Sequence, residues 1–176
     1  RLQYEMTLME ESDVTCGTIM SSGSGPAKAL KHRVVLIDEA AQAIEPETLI
    51  AILRLSEGGT VVLIGDHRQL PPTTHSKDAK FLQGVSLFGR LMETPGIEYV
   101  LLDEQYRMHP TISRWPSELF YGDRLKDAPS VNNLEPVPGF PWPADHSRVA
   151  FVHCDGEESP DGNAFSNDAE CEAVRT

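Results

Sequence analysis

Two short apolar runs, each followed by acidic residues, constrain the fold of this chain more than any other feature. Residues 34–37 (VVLI) lead into Asp38-Glu39, and residues 61–64 (VVLI) lead into Gly65-Asp66. Apolar runs without alternation are typical of strands that are buried on both faces, as in a parallel sheet. The sequence therefore predicts two neighbouring strands that both end in acids.

The segment between the two runs carries the signals of a helix. Glu45-Pro46-Glu47 places a proline and two acids where a first helical turn would lie. Leucine and isoleucine residues recur at roughly helical spacing over residues 49–55, and Gly58-Gly59 is expected to stop the helix. Strand, helix and strand in this order predict a βαβ unit with a right-handed crossover and a parallel sheet.

The rest of the chain predicts further elements and one boundary. Helices are expected at the N-terminus, up to residue 11, within residues 81–92, over 112–121 and from 167 onward, and strands at 14–16, 99–102 and 149–153. Pro95-Gly96 marks a boundary between residues 1–95 and 96–176. Residues 127–148 contain five prolines and are expected to be irregular.

Charge and apolar patterning narrow the class of protein. The net charge is −12, and half of this excess lies in residues 149–176, which hold seven acids and one base. No apolar run reaches the roughly 20 residues of a membrane helix, and no secretory signal pattern is present. We expect an intracellular protein of the cytoplasm or nucleus with no membrane partner. Acidity taken alone argues against a nucleic-acid partner, since phosphate binding needs local Lys and Arg.

The acids that follow the predicted strands are candidates for nucleotide chemistry. Open parallel sheets bind ligands at the carboxyl ends of their strands. There Asp38 could hold Mg²⁺, and Glu39 could orient or deprotonate an attacking water. The alternative is a capping or surface role for both acids. Gln69, after the second strand, could sense a γ-phosphate or the water, and the alternative is an ordinary polar turn.

A third group of candidates lies at residues 105–110 (QYRMHP). The planar cation of Arg107 fits phosphate and could neutralise charge that develops on it. Tyr106 offers a flat face for an adenine ring. The alternative is an interface tyrosine beside a surface arginine. We assign His109 to structure and not to catalysis.

These motifs resemble those of a known family. In their order and spacing, residues 38–42 (DEAAQ), 65–72 (GDHRQLPP) and 105–110 resemble motifs II, III and IV of the superfamily-one helicases. The similarity is closer to the branch that contains the nonsense-mediated-decay RNA helicase, and it covers nearly the whole chain. Shorter matches to that branch lie at residues 15–16, 86–91, 116–122 and 167–170.

The resemblance implies a fold and an organisation. It implies an α/β, RecA-like P-loop NTPase fold, in which a parallel sheet is flanked by helices, here truncated at both ends. Residues 1–95 would form the C-terminal part of a first RecA-like domain. Residues 96–176 would form the N-terminal part of a second, with 127–148 as an irregular segment.

The resemblance also implies ligands and residue roles. The ligands are ATP and Mg²⁺, with Asp38 as the metal ligand and Glu39 as the catalytic base. Gln69 contacts the γ-phosphate and links hydrolysis to strand movement. Arg107 is the arginine finger, and Tyr106 stacks near the adenine.

The function implied is part of an ATP-dependent helicase that translocates on and unwinds nucleic acid. The partners implied are single-stranded RNA or DNA and proteins of RNA metabolism. Arg68, His75 and Lys77 are weak candidates for contacts to the strand, since each is expected to be solvated. The alternatives are a degenerate helicase-like scaffold and a P-loop ATPase that is not a helicase. Because no G-x-x-x-x-G-K-S/T loop occurs in this sequence, we expect the 176 residues alone to be inactive.

Overall fold

The computed structural model describes residues 2–73, 84–162 and 164–175. The chain divides into two compact units, residues 1–99 and residues 100–176. His75, Lys77 and the first part of the helix predicted within residues 81–92 lie outside the described residues. Among the described residues, no helix is both long enough and apolar enough to cross a membrane.

The first unit contains the predicted strand–helix–strand arrangement. Its elements are α1 (Leu2–Glu10), α2 (Ile19–Ser22), β1 (His32–Ile37), α3 (Glu45–Ile52), β2 (Leu55–Leu63) and α4 (Leu87–Met92). Strands β1 and β2 pair in parallel, which confirms the βαβ prediction. The strand predicted at residues 14–16 is wrong, because this stretch is irregular and leads into the Thr18-capped turn α2.

Gly58-Gly59 has a different role from the one predicted. Helix α3 already ends at Ile52, and the two glycines lie inside β2. The parallel register shifts here, since His32 pairs with Leu55 while Val34 pairs with Thr60. Gly58 adopts a positive φ of 70°, which a residue without a Cβ tolerates, so the glycines accommodate an irregularity in the strand and do not stop a helix.

The strand pair buries one face and exposes the other, which corrects the prediction of burial on both faces. Val35 and Ile37 pack with Ala40 and Ala51 in the core of the first unit. Val34 and Leu36 alternate with them and remain 59% and 58% exposed. Side chains of a strand point alternately to its two faces, and the described helices cover only one of these.

The second unit is made of short strands and two longer helices. Its elements are β3 (Glu104–Gln105), α5 (Pro110–Tyr121), β4 (Lys126–Asp127), β5 (Ser159–Asp161), β6 (Ala164–Ser166) and α6 (Asp168–Arg175). Strands β3 and β4 pair in parallel, and β5 and β6 pair antiparallel. Helix α5 ends as predicted, with Gly122 in the left-handed conformation. Helix α6 begins close to the predicted position.

Two further predicted strands are wrong. Residues 99–102 and 149–153 have no strand conformation, and Val100 and Phe151 are 88% and 92% exposed. A strand forms only where its backbone groups find a partner, and the described residues supply none at either place. The proline-rich residues 127–148 are irregular apart from the end of β4 and a 3₁₀ helix at Pro129–Asn133. Arg148 links two parts of this segment, because its guanidinium donates to the carbonyl oxygens of Leu134, Asp145 and Ser147.

Candidate active site

Asp38 and Glu39 follow directly after β1, where the buried Ile37 ends the strand. Glu39 lies in the left-handed region (φ 51°, ψ 35°), a conformation that costs a non-glycine residue roughly 1–2 kcal/mol. Its N–H donates to Asp38 Oδ1 at 3.0 Å, and the 3₁₀ helix Ala40–Gln42 follows. The chain therefore turns sharply at Glu39, which leaves both carboxylates exposed at the end of the strand.

The end of β2 lies against this turn. The Ala40 N–H donates to Ile64 O at 2.8 Å, and the Ile64 N–H donates to Ile37 O at 2.9 Å. A Cβ on Gly65 would lie 2.9 Å from Ala41 N and 3.2 Å from Ala40 N. Glycine at position 65 therefore allows the two strand ends to approach as closely as they do.

Each strand is followed by an acid whose carboxylate is bound by a glutamine three residues later. Gln42 Nε2 donates to Glu39 Oε2 at 3.0 Å, and Gln69 Nε2 donates to Asp66 Oδ2 at 2.9 Å. The backbone N–H of Arg68 donates to Asp66 Oδ1 at 2.9 Å, so the loop after β2 closes on Asp66. Both candidate side chains, Glu39 and Gln69, are thus held by a neighbour in their own loop.

The two loops share a cavity with helix α4. Ala41, from the turn after β1, and Gln69, from the loop after β2, both line it. Ser86 and Gly89 of the α4 N-terminus line its other side, where the Ser86 hydroxyl accepts the Gly89 N–H at 2.9 Å as the helix cap. The first unit therefore brings Gln69 of the second motif beside Ala41 of the first, whereas Asp38 and Glu39 do not line this cavity.

In the second unit, a single side chain organises the turn that carries Tyr106 and Arg107. Gln105 Oε1 accepts the N–H groups of Arg107 and Met108 at 2.9 and 2.8 Å. Gln105 Nε2 donates to Met108 O and to Asp127 Oδ1, both at 2.6 Å. The carboxamide therefore makes hydrogen bonds with both its NH₂ group and its oxygen, three of them within the turn and one to β4.

The side chains of Tyr106 and Arg107 are exposed. The Tyr106 hydroxyl donates to Glu104 Oε2 at 2.7 Å, and this hydrogen bond raises the pKa of Tyr106. The Tyr106 residue remains 68% exposed, so the ring is accessible. Arg107 makes no side-chain hydrogen bond or ion pair with the part of the chain that the structure describes. Its guanidinium is therefore available to an anionic ligand.

His109 has the structural role expected of it. It precedes helix α5, and its Nδ1 accepts the Thr111 N–H at 3.2 Å and lies 2.9 Å from Thr111 Oγ1. Pro110 occupies the first helical position, where no amide donor is needed. The imidazole is therefore the N-cap of α5.

Comparisons with known proteins match both units. A family profile described as "AAA domain" matches residues 1–77, and a second with the same description matches residues 83–176. The Regulator of nonsense transcripts 1 of Dictyostelium discoideum is 36% identical over 184 aligned residues, which cover 100% of this chain. The ATP-dependent helicase NAM7 of Saccharomyces cerevisiae is 36% identical over 98% of this chain. The helicase sen1 of Schizosaccharomyces pombe is 39% identical over 74% of it.

This chain belongs to the superfamily-one helicases. Within them it falls on the branch of the regulators of nonsense transcripts, as its resemblance predicted. Membership of this helicase family places the α/β chain in the P-loop NTPase class of folds. The chain spans 13% of the length of the Dictyostelium relative, 18% of NAM7 and 8% of sen1.

Several residues that support this candidate site were given no role of their own from the sequence. The supporting roles of Gln42 and Asp66 could have been found, because an acid followed by glutamine at the third position occurs after both strands. Asp127 and Ser113 gave no such signal. Asp127 reaches Gln105 because β3 pairs with β4, and Ser113 of α5 donates to Asp127, and no local pattern shows either contact.

Proposed function

We propose that this protein is an ATP-dependent helicase that couples ATP hydrolysis to translocation on, and unwinding of, RNA or DNA. The observation that carries the proposal is the pairing of two acid–glutamine loops at the adjacent carboxyl ends of β1 and β2. Relatives named ATP-dependent helicase match nearly the whole chain and support the same function.

The proposal includes a domain assignment. Residues 1–95 are the C-terminal part of a first RecA-like domain, and residues 96–176 are the N-terminal part of a second. The separate compact units and the separate family matches support this division. The parallel pair with its connecting helix supports a RecA-like sheet in the first domain.

Glu39 is the proposed catalytic base. Gln42 binds Glu39 Oε2, whereas Oε1 has no hydrogen-bond partner among the described residues. One carboxylate oxygen is therefore restrained while the other can accept a proton from the water that attacks the γ-phosphate. The left-handed backbone at Glu39 is strained for a residue with a Cβ, and such strain at the end of a strand supports a functional role.

Asp38 is the proposed ligand of Mg²⁺. Its Oδ1 accepts the Glu39 N–H, and no hydrogen bond from the described residues occupies its Oδ2. Among the described residues, there is no group of three or more His, Cys, Asp or Glu side chains that could hold a metal ion. An exposed single carboxylate fits Mg²⁺, which is commonly held by one or two carboxylates together with substrate phosphates and water. When bound, the ion would neutralise charge on the phosphates of ATP.

The remaining roles belong to Gln69, Tyr106 and Arg107. Gln69 is proposed to contact the γ-phosphate, and its hydrogen bond to Asp66 supports this by restraining the amide. Tyr106 is proposed to stack on the adenine, since Glu104 restrains its hydroxyl while the ring stays accessible. Arg107 is proposed to stabilise the charge that develops on the γ-phosphate, and its lack of an ion pair with the described residues leaves the guanidinium available.

The nucleic-acid partner is proposed to be single-stranded RNA or DNA, gripped through its sugar–phosphate backbone without sequence readout. Relatives named for nonsense transcripts point to RNA and to protein partners in RNA metabolism. The proposed location is intracellular, in the cytoplasm or nucleus.

The decisive experiment uses the protein produced from its complete gene. Glu39→Gln should abolish ATP hydrolysis while nucleotide binding is kept, because the amide retains the shape of the side chain but cannot act as a base. Glu57→Gln, an exposed acid in β2, is the control and should leave both unchanged. Hydrolysis should increase with single-stranded RNA or DNA in the wild type. If the wild type binds nucleotide but does not hydrolyse it, the result supports a degenerate helicase-like scaffold. If the wild type hydrolyses ATP but no nucleic acid stimulates it, the result supports a P-loop ATPase that is not a helicase.

A further inference from the structure

The turn formed by residues 105–108 depends on the orientation of one carboxamide. Gln105 Oε1 accepts the N–H groups of Arg107 and Met108, and Gln105 Nε2 donates to Met108 O. These bonds replace the backbone partners that the turn lacks. Since the Arg107 side chain has no polar partner among the described residues, this turn is what sets the point from which the side chain extends.

Asp127 supplies a fourth hydrogen bond to that carboxamide and ties it to β4. Its Oδ1 accepts Gln105 Nε2 and the Ser113 hydroxyl, both at 2.6 Å. A carboxylate can only accept hydrogen bonds. If the Gln105 amide were reversed, its oxygen would face Asp127 and its NH₂ group would face the N–H groups of Arg107 and Met108. The reversed state would therefore lose every hydrogen bond that the carboxamide makes.

Strand pairing and a buried serine position Asp127 beside Gln105. Gln105 and Asp127 are register partners in the parallel pair of β3 and β4, and the Ala128 N–H donates to Gln105 O at 3.0 Å. Ser113, from the first half of α5, is only 2% exposed. Loss of the Asp127 acceptor would therefore remove the hydrogen bond that ties the carboxamide to β4 and leave the amide held within its own turn.

We propose that Asp127 is a positioning residue that acts through Gln105 to place Tyr106 and Arg107 for ATP hydrolysis. This inference rests on the proposed role of Arg107. Loss of the Asp127 acceptor should lower kcat, because a displaced Arg107 guanidinium no longer stabilises the charge that develops in the transition state. Displacement of a reacting or stabilising group by 1 Å can cost about 100-fold in rate.

The test compares two variants of similar size in the protein produced from its complete gene. Asp127→Leu removes the acceptor and should lower the kcat of ATP hydrolysis by about 10- to 100-fold. Asp127→Asn keeps a carbonyl oxygen, and since both donors bind the same atom, Oδ1, it should retain nearly all of the wild-type kcat. Equal losses in both variants, or no loss in Asp127→Leu, would overturn the inference.

A double-mutant cycle separates positioning from a merely structural effect. In an Arg107→Ala background, Asp127→Leu should cause no further loss of kcat, because the guanidinium that it places is gone. A further loss of the same size in that background would contradict the inference. An unchanged kcat in Arg107→Ala alone would instead contradict the proposed role of Arg107 itself.

Serine variants keep the test valid if Asp127→Leu fails to fold. Ser113→Ala removes one of the two donors to Asp127 Oδ1 and should lower kcat several-fold in the wild type and not in the Arg107→Ala background. Ser117→Ala is the matched control. It lies one turn further along α5 and is equally buried, and its hydroxyl has no partner among the described residues. Equal kcat in the two serine variants would count against the inference.

Discussion

Arg90 of α4 forms a bidentate ion pair with Glu45, the first residue of α3. Arg90 Nε donates to Glu45 Oε2 at 2.9 Å, and the second guanidinium nitrogen donates to Glu45 Oε1 at 2.6 Å. Helix α3 follows the turn that carries Asp38 and Glu39, and α4 lines the cavity beside Gln69. The ion pair therefore ties together the two elements that frame the candidate active site.

The first prediction concerns the stability of the protein in acid. The hydrogen bond from Arg90 is the main cause of the lowered pKa of Glu45, and the charge of Arg90 adds to it while desolvation opposes it. A lowered carboxyl pKa gives stability that is present above the ordinary Glu range and lost as pH falls through the folded value. We therefore expect the contribution of this exposed pair to be small and to disappear between roughly pH 5 and pH 3.

The measurement is the free energy of unfolding by urea at pH 7 and at pH 3 in the wild type and in Arg90→Met. The variant should be less stable at pH 7, and the difference should shrink toward pH 3. A difference that stays constant with pH would show that Arg90 contributes through packing and not through its charge. The Arg114–Glu118 pair on α5 offers a comparison within the second unit, through Arg114→Met.

The second prediction concerns the restraint on the proposed base. Gln42→Ala removes the hydrogen bond to Glu39 Oε2, so the carboxylate gains freedom to leave its catalytic orientation. We expect kcat to fall by about tenfold, less than in Glu39→Gln, with little change in stability because Gln42 is exposed. Steady-state kinetics of ATP hydrolysis measure this. Gln3→Ala on α1 serves as the control, and an unchanged kcat in Gln42→Ala would show that the restraint is not needed.

The third prediction concerns the contact between the two strand ends. Gly65→Ala places a methyl group 2.9 Å from Ala41 N and 3.2 Å from Ala40 N, and these backbone atoms cannot move without distorting the Glu39 turn. We expect a loss of about 1–3 kcal/mol in the free energy of unfolding, together with reduced ATP hydrolysis. Gly17→Ala is the control, since its methyl would meet only the movable hydroxyl of Ser21. Equal stability of the two variants would contradict the close packing.

The fourth prediction separates the structural role of His109 from catalysis. His109→Ala removes the N-cap of α5 and should cost about 1 kcal/mol of stability, while His109→Asn should recover most of it. The kcat of ATP hydrolysis should change far less than in Arg107→Ala. Loss of kcat equal to that of Arg107→Ala, without a loss of stability, would place His109 in the catalytic machinery.

The sequence by itself determined the elements whose signals are local. Three such signals favour a local backbone conformation without any distant contact. They are the apolar run before Asp38, the proline in the first turn of α3 and the glycine after α5. The corresponding elements have the predicted type and lie close to the predicted places. The motifs around Glu39, Gln69 and Arg107 likewise follow from neighbouring residues, and they were enough to indicate the helicase family.

Only the tertiary structure decided which residues support those motifs and which faces are buried. Gly58-Gly59 proved to accommodate an irregular strand register, because pairing with β1 overrode the helix-stopping signal. The apolar residues 99–102 and 149–153 formed no strand, since strand formation requires a backbone partner that a local pattern cannot supply. Asp127 lies next to Gln105 although the two are 22 residues apart, because β3 pairs with β4. Hydrogen bonds between distant parts of a chain exist only once the fold has brought donor and acceptor together.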